Sequence, residues 1–254
     1  TTIGVVWQPA FDWLEADTTI SLDWYDIEIN DYIDQPTGQE SLDLCYVLGD
    51  PYYCDGIVRS GGSLTESGTG TPSPFTNFVV YAAEGIDLNI VSNGYSIGRY
   101  GDLGFSWTAH RYLTNEFQTT AASPVVDCNG YYGTSCDPVP EFRSVFRVNW
   151  MLNQFDASIL WRHIGGMDAQ ENEASSLFED FRSVDAQNYF DVTFGYSFRD
   201  NIRFTALVSN IADEDPPILG NNTGSTSFNS GNTFPSLYDT MGRTYTLGVR
   251  VGFE

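Results

Sequence analysis

The sequence contains no lysine: all 11 basic residues are arginines, set against 34 acidic ones, for a net charge of −23. That balance excludes nucleic-acid binding, because a phosphate backbone needs cationic partners. No apolar run approaches the roughly 18 residues of a membrane-crossing helix. The 254 residues therefore hold neither such a helix nor a signal-peptide core, and an exported chain would carry its targeting segment elsewhere. Histidine is scarce, with only His110 and His163, and neither a G-x-S-x-G elbow nor a phosphate loop occurs. A catalytic constellation is not expected, nor is a cofactor. The four cysteines form two close pairs, Cys45/Cys54 and Cys128/Cys136, with no CxxC spacing and no enclosed histidine, which argues against zinc. Three connectivities exist in principle; local disulfides are favoured and imply an oxidising compartment. The acidic run Asp213-Glu214-Asp215-Pro216-Pro217 lacks spaced ligands, so it reads as a strand-exit turn and no metal is expected.

What the chain does have is aromatic residues and glycine in strand-and-turn proportion. The last segment, TMGRTYTLGVRVGF, shows the pattern most clearly. From Thr244, residues Tyr245, Leu247, Val249, Val251 and Phe253 share one face, opposite Thr244, Thr246, Gly248, Arg250 and Gly252. This is period 2, a β-strand with one apolar side. Thr246, Gly248, Val251 and Phe253 also fit an outer-membrane insertion signal, although the chain ends on Glu254 rather than the aromatic residue. Eight further strands read the same way: 1–9, 17–30, 77–95, 103–117, 141–152, 155–163, 183–198 and 202–210. In the second, the phase reverses after Tyr25, which suggests a bulge or a strand leaving the apolar layer. A short helix is expected in GQESLDLCYVL.

The connections between these strands carry the argument further. Short ones (10–16, 96–102, 153–154, 199–201) alternate strictly with long ones (31–76, 118–140, 164–182, 211–239). If successive strands are antiparallel neighbours, every long loop leaves the same end, which is the pattern of an outer-membrane barrel and not of a sandwich. The long loops hold 18 acidic residues and only Arg59 and Arg182. Arg143, Arg147, Arg162, Arg203 and Arg250 fall instead on the faces opposite the tryptophans and phenylalanines. An arginine in hydrocarbon would cost about 2–4 kcal/mol at the bilayer midplane, so those faces should look into a wet lumen. The fold class expected is all-β: nine antiparallel strands of a transmembrane barrel. Nine is an odd number, and a closed bacterial barrel has an even one. The chain is therefore expected to be the carboxyl-terminal part of a larger barrel, with residues 1–254 forming a partial barrel domain.

Several stretches in order carry a resemblance to a known family. They are GVVWQPA with SLDWYDIEINDYI, CYVLGDPYYCDGIVR, GIDLNIV, DCNGYYGTSCDPVPEFRSVFRVNW with ILWRHIGG, and YFDVTFGYSF with VSNIADEDPPILG, GNTFPSLYDTMGRTY and the terminal strand. Together they span essentially the whole chain, which resembles the TonB-dependent outer-membrane receptors. The resemblance implies a 22-stranded barrel of which these would be the last nine strands. It also implies a plug and a TonB box, neither of which occurs in these residues. Implied partners are the TonB protein, the barrel-assembly machinery acting on the terminal strand, outer-membrane lipid of a Gram-negative bacterium, and a small-molecule or oligosaccharide ligand. The activity implied is energised uptake of an iron chelate, a vitamin or an oligosaccharide, and not enzymatic catalysis.

Candidate ligand contacts are the loop aromatics Tyr52, Tyr53, Tyr131 and Tyr132, and the lumen-side His110, Tyr112, Arg143 and Arg162. Aromatic faces stack on sugars or planar chelates, and arginine pairs with carboxylate or phosphate. The bland alternative is that the tyrosines pack loop against loop and the arginines pair with wall carboxylates. Two other functions remain at this point. An outer-membrane hydrolase would need a Ser/His or Asp/His set at the loop ends. A secreted carbohydrate-binding sandwich would bury Trp107, Trp150, Trp161 and Phe194 beneath a second sheet.

Overall fold

A computed structural model describes residues 1–9, 17–133, 136–175, 177–199, 201–219 and 233–253. The short connection 10–16, Asp200 of the turn at 199–201 and the terminal Glu254 lie outside the described residues.

In chain order the strands are β1 Thr2–Trp7, β2 Asp17–Asp34, β3 Thr76–Ser96, β4 Asp102–Gln118, β5 Val126–Asp127, β6 Tyr131–Tyr132, β7 Phe142–Leu152, β8 Phe155–Ile164, β9 Met167–Ala169, β10 Ser183–Val184, β11 Gln187–Arg199, β12 Ile202–Ser209 and β13 Thr244–Val251. Helices α1 Gly38–Tyr46 and α2 Pro51–Gly56 follow β2, and α3 Glu171–Ala174 follows β9. The main sheet is a meander, β1-β2-β3-β4-β7-β8-β11-β12-β13, so each of the nine expected strands pairs with its sequence neighbour and short connections alternate with long ones. The fold is part of a β-barrel wall.

Register sorts the two faces, with a shift in the β11–β12 pair only beside the turn, between Ser197 and Arg199. Trp107 pairs with Phe146, which pairs with Trp161, which pairs with Phe190. Phe194 pairs with Ala157 and Ala206, and Ala206 pairs with Leu247. On the other face Arg147 lies opposite Ser106 and Leu160, Arg162 opposite Val145 and Tyr189, and Arg203 opposite Ser197 and Arg250. Trp107, Trp150 and Trp161 are half-buried and Phe194 is 45% exposed, so none has the cover that a sandwich requires.

The turns have local causes. Asn153, at φ 52°, takes the left-handed conformation that the two-residue β7–β8 hairpin needs. Gly101, at φ 94°, closes the β3–β4 turn, where Ile97 donates to its carbonyl at 2.8 Å.

Three expectations are corrected. β2 runs on to Asp34, past the expected end at Asn30. β11 begins at Gln187, because Ser183–Val184 belongs to a separate three-stranded sheet, β10-β9-β6. The connections 118–140 and 164–182 are thus not plain loops: β6 and β9 pair in parallel across them. Short strands separated by glycines and prolines give too little periodicity for this to show in sequence.

The chain divides into two compact units. The larger, residues 1–25, 85–113 and 128–254, contains most of the wall and its own core of Tyr132, Ile164, Met167, Val184, Tyr189, Leu219, Phe234 and Tyr238. Its polar face uses glycine as a gap. Asp156 of β8 and Arg203 of β12 pair at 2.7 Å across the intervening β11, and they do so over Gly195. A Cβ at Gly195 would stand 2.5 Å from the carboxylate and 2.6 Å from the guanidinium.

The smaller unit, residues 26–84 and 114–127, holds α1 and α2, clamped by a Cys45–Cys54 disulfide over a core of Leu44 and Tyr53. Thr37 caps α1 in a reciprocal box: its hydroxyl accepts from the Glu40 amide at 3.3 Å, and its own amide donates to Glu40 Oε2 at 2.7 Å. Burial opposes the Glu40 charge, but hydrogen bonds from Thr119 and Thr37 outweigh it and hold the carboxyl below its usual 4.5.

Two predictions follow from this packing. Gly195→Leu should lower the thermal midpoint of the detergent-solubilised protein through an overpacking cost of about 1–3 kcal/mol. Gly248→Leu should leave it nearly unchanged, since the nearest atom to a Cβ there is 4.0 Å away. Because Glu40 has a depressed folded-state value, its contribution is complete above the unfolded value near 4.5 and disappears as pH falls through the lower one. Hydrogen exchange of the Ser41–Cys45 amides, corrected for intrinsic rates, should show protection falling with acid in the native chain but not in Glu40→Gln.

Candidate functional site

Four wall strands bring polar side chains together near the end from which the β4–β7 connection leaves. Period 2 puts His110 and Tyr112 of β4 on the polar face, and Arg143 of β7 is the register partner of His110. Asp87 of β3 and Tyr25 of β2 complete the group. Asp87 Oδ1 lies 2.6 Å from His110 Nδ1, and the Tyr25 hydroxyl lies 3.4 Å from Nε2. The Tyr25 ring reaches His110 only because the strand between them carries Gly85, where a Cβ would come within 2.6 Å of Tyr25 Cζ. The Tyr25 and His110 rings are near parallel, 12° apart at 6.0 Å, and Tyr112 meets His110 edge-on at 4.3 Å.

Both ring nitrogens of His110 are therefore engaged by the wall. Arg143 is exposed and has no hydrogen bond or ion pair among the described residues. Among the described residues the group thus offers one guanidinium without a hydrogen bond or ion pair, and the half-buried Tyr112 ring, beside a fixed imidazole. That combination suits an anionic or planar ligand group and does not supply a nucleophile with its base. His163 pairs with Ser144 on the opposite, apolar face, where Asn188 Oδ1 serves both its Nδ1 and the Trp161 indole at 2.9 Å. The two histidines cannot act together. No group of three metal-ligating side chains is found among the described residues.

Arg162 is placed differently. Its Nε and Nη2 grip the two Asp191 oxygens at 3.0 and 3.2 Å, Nη2 reaches Asp239 at 3.5 Å, and the guanidinium lies 5.0 Å from the Tyr189 ring centre. Asp191 also accepts from the amide of Asn210, a fully buried residue at φ 51° that exchanges two 2.9 Å bonds with Glu214. Arg162 holds the wall and its connections together and leaves little for a ligand.

Above this polar knot the connections fold into one body. The Cys128–Cys136 disulfide closes the segment bearing Tyr131 and Tyr132. Tyr132 is fully buried, packs on Phe234 at 5.8 Å and donates to the Phe181 carbonyl at 2.7 Å. Burial, aided by the Asp168 charge, pushes its phenol up to about 12, so it stays a donor. Burial likewise raises Tyr238. Tyr132 and, in the smaller unit, Tyr53 at 4% exposure therefore have no free ring face, which corrects their assignment as ligand contacts. The neighbouring Tyr131 is half-buried, and Tyr52 is 60% exposed.

Asp87, Tyr25, Asp191 and Asn210 are the partners that sequence reasoning missed. The alternation of GIDLNIV already puts Asp87 on the polar side, but its contact with His110 requires the strand order. At the far end of the chain, Thr246 and Gly248 lie on the polar face of β13, Val251 ends it, and Phe253 follows at 93% exposure.

No family model matches the sequence, and no curated protein matches it significantly. Solved structures do match, over 99% of this chain. The ferric enterobactin receptor PfeA of Pseudomonas aeruginosa, in complex with enterobactin, aligns with a TM-score of 0.61 at 13% identity, covering 31% of that chain. The fold is that of a TonB-dependent receptor barrel, in part. The siderophore receptor PirA of Acinetobacter baumannii aligns over 99% of this chain and 31% of its own, with a TM-score of 0.54 at 16% identity. The copper transporter OprC does so over 99% and 30%, with a TM-score of 0.52 at 16% identity. This chain thus spans about a third of the length of these receptors, and at such identities the likeness is one of fold.

Within this receptor fold, Tyr132 separates packing from hydrogen bonding. Tyr132→Ala should cost the connection core about 3–5 kcal/mol, as for other large aromatic truncations. Tyr132→Phe loses one hydrogen bond, about 1 kcal/mol. Limited proteolysis should cut 118–140 rapidly in the alanine variant and near the native rate in the phenylalanine one.

Proposed function

We propose that this chain is part of a TonB-dependent outer-membrane transporter of a Gram-negative bacterium, which takes up a scarce nutrient using energy relayed from the inner membrane. The observation that carries this reading is the register of the meander from β4 to β13. One face carries Trp107, Phe146, Trp161, Phe190 and Phe194, while the other carries His110, Arg143, Arg147, Arg162, Arg203 and Arg250. Lipid on one side and a wet lumen on the other is the environment that such a wall fits. The fold shared with a copper transporter and with siderophore receptors supports it.

The cargo class is an iron chelate, a vitamin or an oligosaccharide, and the chain is not an enzyme in its own right. Arg143 and Tyr112 are the wall contacts for cargo, held in place by His110; Tyr131 and Tyr52 are contacts from the connections. Arg143 would meet a carboxylate or phenolate of the cargo, and Tyr112 would lie against a planar part of it. Outside these residues, a plug and a TonB box would complete the transporter. The polar Thr246 and Gly248, with Val251 and Phe253, would address the terminal strand to the barrel-assembly machinery. The two disulfides suit assembly in an oxidising compartment.

The test is growth and uptake. The full-length protein should fractionate with the outer membrane and support uptake that stops when TonB is deleted. Arg143→Ala should weaken cargo binding at least tenfold, the size of one lost charge-assisted contact of about 1.5–3 kcal/mol. Arg162→Ala should instead reduce the amount of folded protein. Uptake indifferent to TonB, or Arg143→Ala binding cargo as the native protein does, would refute this reading.

A further inference from the structure

The polar face carries one local charge imbalance that no neighbour among the described residues corrects. At the end bearing the short turns, Arg203 of β12 and Arg250 of β13 are direct register partners. Side chains so placed have Cβ atoms about 4.5–5.5 Å apart, and like charges there repel. Arg203 has one counter-charge, Asp156 at 2.7 Å. Arg250 has no hydrogen bond or ion pair among the described residues. Arg199, next to them, has its guanidinium 5.3 Å from the centre of the Phe198 ring. Among the described residues these three guanidinium groups thus meet one carboxylate, in a chain with 34 acidic residues and 11 basic ones. The three line a single recess of about 580 Å³, shared with Ser197, Asn201 and Gly252.

We propose that this recess is an oxyanion site, in which a carboxylate or phosphate group bridges Arg203 and Arg250. A planar guanidinium presents parallel N–H donors that match the two oxygens of such a group, which a lysine cannot do. One anion between register-paired arginines turns their repulsion into two charge-assisted contacts. Asn153, Gln154 and Ile202 complete the lining. The site lies at the opposite end of the wall strands from Arg143 and His110, so it is separate from the cargo contacts. Two sources present this chemistry: a free oxyanion such as inorganic phosphate, or an Asp or Glu carboxylate of polypeptide seated against the polar face.

The experiment uses the full-length protein in detergent, with calorimetric titration of inorganic phosphate and thermal unfolding at low and high NaCl. For a free oxyanion, phosphate binds the native protein, binds at least tenfold more weakly to Arg250→Gln, and is partly restored by Arg250→Lys. For a polypeptide carboxylate, phosphate does not bind. Arg250→Gln then lowers the unfolding midpoint, Arg250→Glu lowers it further, and the gap to native narrows as salt rises. Either result supports the site. Phosphate bound equally by native and Arg250→Gln protein overturns it. So does an Arg250→Gln midpoint that is unchanged or raised in the absence of phosphate binding. Asp200→Asn is the control, and if it reproduces the Arg250→Gln loss, the counter-charge belongs to the turn itself and the proposal fails.

Discussion

Strand register is the constraint on which the rest of this structure depends. A wall one sheet thick has two surfaces, and period 2 assigns every residue to one of them. A slip of a single residue in any pairing would turn Trp161 and Phe190 inward and bring Arg147 and Arg162 out. The pairings run from Trp107 through Phe146 and Trp161 to Phe190 without such a slip, and the β11–β12 irregularity comes only at Ser197/Arg199, beside the turn. Because the backbone ladder is satisfied strand to strand, neither surface needs a second layer, and each is left to its own solvent.

On the polar surface, glycine decides which groups can meet. Tyr25 touches His110 from two strands away, and Asp156 touches Arg203 likewise, because Gly85 and Gly195 stand between them. These cross-strand reaches lay polar side chains flat along the wall. They also leave both nitrogens of the His110 imidazole occupied, whereas the exposed Arg143 has no hydrogen bond or ion pair among the described residues. Arginine on this face thus falls into two groups: Arg162 and Arg203 brace the wall, whereas Arg143 and Arg250 make no hydrogen bond or ion pair among the described residues.

Much of this was legible in the sequence and some was not, for definite reasons. The nine wall strands and the sidedness of His110, Arg143 and Arg162 follow from alternation, which is a local property. α1 was legible through its own composition, and both close cysteine pairs are the ones bridged. Asp87 and Asp191 could not be assigned as partners, since each contacts a residue on another strand and depends on register. Tyr131 and Tyr132 read as equivalent, yet successive residues of a strand point to opposite sides, so one is buried completely and the other is not. Nothing in a pair of adjacent tyrosines says which will be inside; the residues that bury Tyr132, among them Phe234 and Val184, come from distant connections.

The shared core of those connections has a consequence for how such a protein can change. Tyr132, Val184 and Phe234 come from three different inter-strand segments but fill one volume. A graft that exchanged one of these segments for that of another barrel of this fold would leave the remaining two facing a void or a clash. Variation here has to be correlated across the three segments, whereas a wall strand tolerates exchange wherever size and sidedness are kept. The outer face of the larger unit is in this sense inherited as a block, not loop by loop.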